Sequence, residues 1–232
     1  MPQDLIKRLR LSDERGFTLP ELLVAMSVGM IVLLAAFMVL DRSFTASGEI
    51  ADRSDALQRG RQALDTMTRQ LRSQVCLGKT NNPIISGTGT SVTFYADLSD
   101  GSQNIKRRTL TYDTASKRIT ETVVAGVGTY PALTFTGTPK TVTLLSNAEQ
   151  VGSTPMFRYY GYVAGTTTGA LEPLSVPLST ANLSRVAVIR ISFRAFPLRS
   201  VANSDSVSTV LENDVYARVA VPTSPQNGPL CA

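Results

Sequence analysis

Histidine and tryptophan are missing from these 232 residues, and cysteine occurs only twice. Without histidine the chain lacks the commonest general base and the commonest metal ligand, so acid–base and zinc chemistries start with little support. Serine and threonine are plentiful, yet none stands in a nucleophile-elbow pattern. Asp97 and Asp100 in DLSDG offer two carboxylates before Gly101, but the stretch is too short for an EF-hand loop and reads as a turn. Charged residues make up only 18% of the chain and leave a net charge of +5, too mild an excess to name a partner. No internal repeat is present. The expectation is a non-enzymatic protein with no cofactor and no metal.

Charge is also absent locally. From Leu22 to Leu40 there is no charged residue, and at about 1.5 Å per residue a helix of that length reaches roughly 28 Å, close to the ~30 Å hydrocarbon core of a bilayer. The run can span a membrane. Basic residues Lys7, Arg8, Arg10 and Arg15 precede it, and the positive-inside rule then keeps the leader in the cytoplasm and sends everything after Leu40 outside. One acid, Glu21, stands at the lip of the run. A carboxylate at the bilayer centre costs about 2.5–3.5 kcal/mol, less at the edge, so it needs a reason to stay there. Cutting after Gly16 supplies one: Phe17 becomes a new N-terminus whose amine lies one helical turn from Glu21, within a chain or between neighbours.

The residues GFTLPELLVAM are similar to the class III signal of type IV prepilins and pseudopilins, with Gly16 before the cut, Phe17 after it and Glu21 as the fifth mature residue. The resemblance implies cleavage by a prepilin peptidase between Gly16 and Phe17, N-methylation of Phe17, and an apolar helix that becomes the buried stem of a filament with Glu21 registering each new subunit. Pro20 stands where many members carry Ile or Val, but in a first helical turn it removes no intrahelical bond. An ordinary cleaved signal peptide fits less well, because the apolar run exceeds about 15 residues and no small-x-small site closes it before Asp41.

Beyond the run, residues 41–77 keep a helical rhythm and become amphipathic, with Ile50, Leu57, Leu64 and Leu71 seven apart and Gly60 and Met67 between them. Only about three heptads are present and Gly60 weakens a zipper seam, which favours docking on the chain's own sheet over a coiled coil. Gly29 and Gly48 mark points where the stem can bend. The remainder alternates as strands: 91–96, a hairpin of 107–112 with 118–124, then 132–136, 141–145, 156–163, 186–193 and 214–221. Segments 77–90, 164–184 and 199–208 read as loops. The predicted fold is therefore α+β and pilin-like, a long N-terminal helix packed on an antiparallel β-sheet. Its divisions are a leader 1–16, a membrane or filament-core segment 17–40, an amphipathic stem 41–77, and a β-rich domain 78–232. In the C-terminal half, LLSNAEQV, PMFRYYGYVAG, VAVIRISFRAF and NDVYARVAVP resemble the strand pattern of PilW-like and J-type minor subunits.

Three side-chain groups remain. An even cysteine count in an exported domain reads Cys76 and Cys231 as a disulfide, with two buried thiols as the competing reading. Lys106, Arg107 and Arg108, with Lys117 and Arg118 across a turn, invite a DNA reading, but a solvated, aggregation-blocking strand edge is the commoner use of such a cluster. Phe157, Tyr159, Tyr160 and Tyr162 alternate between faces, as core and sheet packing requires. The functional expectation is a minor pilin or pilin-like subunit of a type IV pilus. Its partners are other pilins, the prepilin peptidase and an inner-membrane assembly platform, with no nucleic acid. It starts as a single-pass protein of the cytoplasmic membrane, its domain outside, and ends in a pilus or pseudopilus. The alternatives are a pseudopilin of a type II secretion or competence system, and a membrane-anchored exported binding or enzymatic domain unrelated to pili.

Overall fold

The computed structural model describes residues 16–78, 82–98, 104–163, 169–198 and 207–217. The leader up to Arg15, together with Asp100, Gly101 and Cys231, lies outside them. A single helix, α1 (Leu19–Arg72), passes through two compact units that divide between Gly48 and Glu49. Its first intrahelical bond runs from the Leu22 amide to the Thr18 carbonyl at 3.1 Å, so Pro20 indeed falls where no amide is needed. At the other end Arg69 and Arg72 sit in the last turn, where cations favour the carbonyl pole. The Ser73 hydroxyl closes the end on the Gln70 carbonyl at 2.7 Å. Gly29 and Gly48 interrupt nothing: the helix runs through both.

In the first unit the helical residues are all exposed. In the second, α1 buries Ala56, Gly60, Ala63, Leu64, Met67 and Leu71 along one stripe. Ile50, counted in the apolar face, is instead exposed, because the stripe begins only at Ala56. Gly60 fits no side chain: a Cβ built there meets Leu211 Cδ1 at 2.3 Å and Ala195 Cβ at 3.0 Å. The glycine that weakened the zipper reading is the point where the helix backbone comes closest to the sheet.

Two antiparallel sheets receive the helix, where the sequence pattern indicated one. Sheet 1 is a meander of β1 (Ile84–Gly87), β2 (Ser91–Ala96), β3 (Lys106–Asp113), β4 (Arg118–Ala125) and β5 (Lys140–Ser146) in that order. Sheet 2 follows in the chain with β6 (Ala148–Glu149), β7 (Phe157–Tyr162), β8 (Leu171–Leu174), the short α2 (Thr180–Leu183), β9 (Val186–Ala195) and β10 (Thr209–Tyr216). Its order is β10-β9-β7-β8, with β6 added on β9. Phe94, Leu110, Ile119, Met156, Phe157, Tyr159, Ile189, Ile191 and Phe193 join Met67 and Leu71 in one core. Tyr159 ties the two sheets, its hydroxyl donating to the carbonyls of Thr88 at 3.1 Å and Ser91 at 3.0 Å.

The outer face of sheet 1 carries hydroxyls in register. Ser91, Thr111, Thr120 and Thr143 form one rank across four strands, and Thr93, Thr109, Thr122 and Thr141 form the next. Within the second rank Thr93 bonds Thr109 at 3.1 Å and Thr122 bonds Thr141 at 2.9 Å, cross-strand pairs of the kind that stabilise a sheet on its solvent side.

Four expected elements differ. The 77–90 segment read as a loop contains β1, which pairs antiparallel with β2. The 132–136 strand is replaced by one bridge between Val127 and Thr134, because Phe135 is used to cover the sheet: it stacks on Tyr95 at 4.9 Å with Arg107 above its ring at 5.8 Å. The 164–184 loop contains β8 and α2. Pro173 hid β8, yet an edge strand tolerates proline, while Ser179 caps α2 by accepting from the Asn182 amide at 3.3 Å. The last strand begins at Thr209, since Thr209 to Leu211 pair with Ala195 to Phe193.

The helix–sheet approach at Gly60 is directly testable. Gly60→Val should lower stability by about 1–3 kcal/mol through overpacking, measured by chemical denaturation in detergent. Gly60→Ala should cost less, since better helix propensity returns up to about 1 kcal/mol. A stability gain in either variant contradicts the packing.

Candidate assembly site

Gly16, Phe17 and Glu21 open the described chain, and all three are exposed. Among the described residues, none beyond its chain neighbours comes within 4 Å of a Cβ built on Gly16, and its φ is not in the left-handed region. The fold therefore gives no reason for glycine there. Phe17 is 78% exposed, and Glu21 lies in the first turn of α1, at the pole that favours anions. Thereafter Leu22, Leu23, Val24, Met26, Val28, Met30, Ile31 and the following apolar residues to Leu40 remain uncovered. Among the described residues α1 is the one helix long and apolar enough to cross a membrane. A contiguous apolar surface of that size needs a nonaqueous neighbour.

In the second unit, the charged groups singled out in the sequence are distributed by the pleat. Lys106, Arg107 and Arg108 are not on an edge: β3 lies between β2 and β4. Alternation splits them, with Arg107 over Phe135 on the outer face and Arg108 buried against Glu121. Lys117, across the hairpin turn, pairs with Glu149. The cluster is divided between the two faces of an inner strand, so the edge reading does not hold. Tyr160 stands on the face opposite Tyr159 with the Arg190 guanidinium 5.2 Å from its ring centre, and the aromatic group is divided between core and sheet surface as expected.

Perturbed titrations also trace to structural pairs. Arg190 holds Asp214 in a two-pronged contact across β9 and β10, Nε to Oδ1 at 2.5 Å and Nη2 to Oδ2 at 2.7 Å. That hydrogen bond, opposed by partial burial, keeps the Asp214 carboxyl below its usual range. Arg59 does the same for Asp55 while its Nη2 donates to the Phe196 carbonyl at 2.9 Å, fastening α1 to the end of β9. Ser116 and the Ala115 amide lower Asp113 in the β3–β4 turn. Burial drives the Tyr159 phenol far up. Among the described residues no three His, Cys, Asp or Glu side chains come together as metal ligands.

Sequence reasoning missed the buried set of Gln70, Arg108 and Glu121. Gln70 Nε2 donates to Glu121 Oε2 at 2.8 Å, while Arg108 Nη1 donates to the other carboxylate oxygen. The signal was present: Gln70 falls on the apolar stripe of α1, and Glu121 and Arg108 alternate in phase with core residues of their strands.

Residues 11–37 match the family model described as the prokaryotic N-terminal methylation motif. No curated protein matches the chain significantly. The matched stretch contains Gly16, Phe17 and Glu21, and it establishes a class III signal of the type IV prepilin and pseudopilin kind at the head of a pilin-like α+β fold.

The Asp214–Arg190 pair sets a pH signature. A depressed folded-state pKa adds stability that is present above about 3.9, the unfolded value, and is lost as pH falls through the lowered value. Asp214→Asn should lower Tm at pH 6 by about 2–4 °C, equivalent to about 1 kcal/mol, and the gap to wild type should close below about pH 3.9. A gap independent of pH rules out the pair as its source.

Proposed function

We propose that the chain is a minor pilin or pilin-like subunit of a type IV pilus, made as a precursor, processed by a prepilin peptidase and drawn into a filament or its priming complex. The observation that carries this reading is the methylation motif at residues 11–37 leading into an exposed apolar helix. The leader 1–16 is removed after Gly16, and the amine of Phe17 is methylated. The glycine at the cut serves the peptidase, which fits a position where the fold makes no demand for one. The helix first resides in the cytoplasmic membrane with the β-rich unit outside, then exchanges lipid for the helices of other pilin subunits on an inner-membrane platform.

Glu21 is the group that makes this exchange selective. In lipid it sits near the interface, where a carboxylate is cheap, whereas in a packed helical bundle it must find a cation. The amine of a neighbouring Phe17 is the charge the motif supplies at that depth. Cys76, just past the end of α1, pairs with Cys231 in this reading, and the link closes a loop that tethers the C-terminal tail to the stem. In the chain-entropy approximation such a closure stabilises by roughly 4–5 kcal/mol.

Mass spectrometry of protein extracted from native membranes should find an N-terminus at Phe17 carrying one methyl group, and Gly16→Leu should leave the full precursor. A mature start beyond Leu40 contradicts the assignment.

Glu21→Ala should be inserted and cut normally yet recover about tenfold less pilin partner on co-purification, equivalent to about 1.4 kcal/mol. Wild-type recovery means the acid does not register subunits.

A non-reducing peptide map of the same material should show Cys76 joined to Cys231. Two free thiols exclude the tether.

A further inference from the structure

A sheet edge is a row of unpaired backbone groups, which a fold must either blunt or use. Among the described strands, β1 and β5 border sheet 1, while β10 and β8 border sheet 2. β1 is four residues long with an irregular register, and the Leu178 amide, just before α2, donates to its Gly87 carbonyl at 2.8 Å. β8 is as short and holds Pro173. β10 carries Glu212 and Asp214 two apart, so a second β10 paired about Asn213 brings acid against acid. β5 has none of these. Its sequence KTVTLLS offers seven residues without proline or acid, and Lys140, Thr141, Val142 and Thr143 are all exposed, Val142 to 56%.

The β5 edge is also self-complementary. Turned antiparallel about Val142, a second copy sets Val142 against Val142, and Thr141 against Thr143 on both sides of it. Lys140 then falls opposite Leu144, so no like charges meet across the pair. Thr141 and Thr143 end the two hydroxyl ranks on the outer face of sheet 1, and this register joins each rank to the other rank of the second copy. The new threonine pairs repeat the neighbouring seam, where the Thr122 and Thr141 hydroxyls lie 2.9 Å apart. Two features bound the stretch. Lys140 opens the strand, and Leu144 has no partner on β4, because the register shifts between Ile119–Leu145 and Thr120–Thr143. A lysine and a bulge are devices that keep an edge from extending freely, and they leave Thr141 to Thr143 as the window for pairing.

We propose that β5 is an interface between two copies of this chain, which pair antiparallel about Val142 and merge their two copies of sheet 1 into one. The arrangement is a closed two-fold that uses the same edge on both sides, so pairing stops at a dimer. Backbone hydrogen bonds supply the attraction, and the two Val142 side chains cover each other from water. With so short a register the dimer dissociates readily, and it forms where chains are held at high local concentration. The proposal is independent of the filament reading, because every residue in it belongs to the second unit and none to the N-terminal motif.

Cysteine crosslinking reads the register directly. Cα atoms opposite each other in an antiparallel pair are about 4.5–5.5 Å apart, inside the roughly 4.4–6.8 Å that a disulfide accepts. In the full chain in detergent micelles under mild oxidation, Val142→Cys should therefore form a covalent dimer at least about tenfold faster than Ala115→Cys, an exposed position in the β3–β4 turn. The wild-type chain sets the background from Cys76 and Cys231. Thr141→Cys and Thr143→Cys should each self-link slowly, since each lies diagonal to its own counterpart at about 7–8 Å, and should link quickly to one another when mixed. In native membranes the Val142→Cys product should again be the homodimer. Equal rates at Val142 and Ala115, self-linking of Thr141→Cys as fast as its link to Thr143→Cys, or a native-membrane adduct to a different polypeptide would each overturn the proposal.

Discussion

Close approach between α1 and the strands β9 and β10 is the contact on which the second unit depends. Gly60 sets that approach, because its missing side chain admits Leu211 and Ala195 where any Cβ would collide. Small residues at Ala56 and Ala63 continue the same stripe. Once the backbone is this near, Met67 and Leu71 reach the shared core, and Asn213 Nδ2 can donate to Thr68 Oγ1 at 3.0 Å. The helix is then held by both sheets, by sheet 2 through packing and by sheet 1 through Gln70 and Glu121. Leaving one partner of a buried ion pair alone costs about 3–5 kcal/mol, so Arg108, Glu121 and Gln70 act as a group that fixes where along sheet 1 the helix can rest.

The same helix obeys a different rule in its first unit. There its described residues are all exposed, and from Leu22 to Leu40 none of them is charged. A helix of that kind is stable only against lipid or against other helices. One continuous helix thus joins two compositions: the uncharged run ends at Leu40, and the second compact unit, in which the helix buries a stripe of its own, begins at Glu49. The methylation motif matched at its head, residues 11–37, is consistent with this division.

Much of this was legible in the sequence because its signals are periodic. Apolar runs, hairpin turns and strand alternation depend on neighbours in the chain, and they located α1, β2, β3, β4, β5, β7 and β9. What could not be read depends on partners distant in sequence. Whether Phe135 extends a strand or covers Tyr95 is settled by the space over β2 and β3, not by its own neighbours. Pro173 argued against a strand until an edge position made it harmless. Lys106, Arg107 and Arg108 looked like one basic patch, yet period-two alternation sends Arg107 to one face and Arg108 to the other, and only pairing with Glu121 explains why a charge is buried there. Of the candidate site, the motif from Gly16 to Glu21 was plain, since its chemistry is carried by consecutive residues.

The central claim is that the exposed half of α1 leaves lipid for the helices of other pilin-type subunits. A photo-crosslinking amino acid at Val24, one turn beyond Glu21 and exposed in the isolated chain, reads its neighbour directly in membranes of cells that carry the assembly machinery. Adducts to the N-terminal helix of a second pilin-type polypeptide are the expected result. Adducts to lipid alone, under conditions in which filaments form, contradict it.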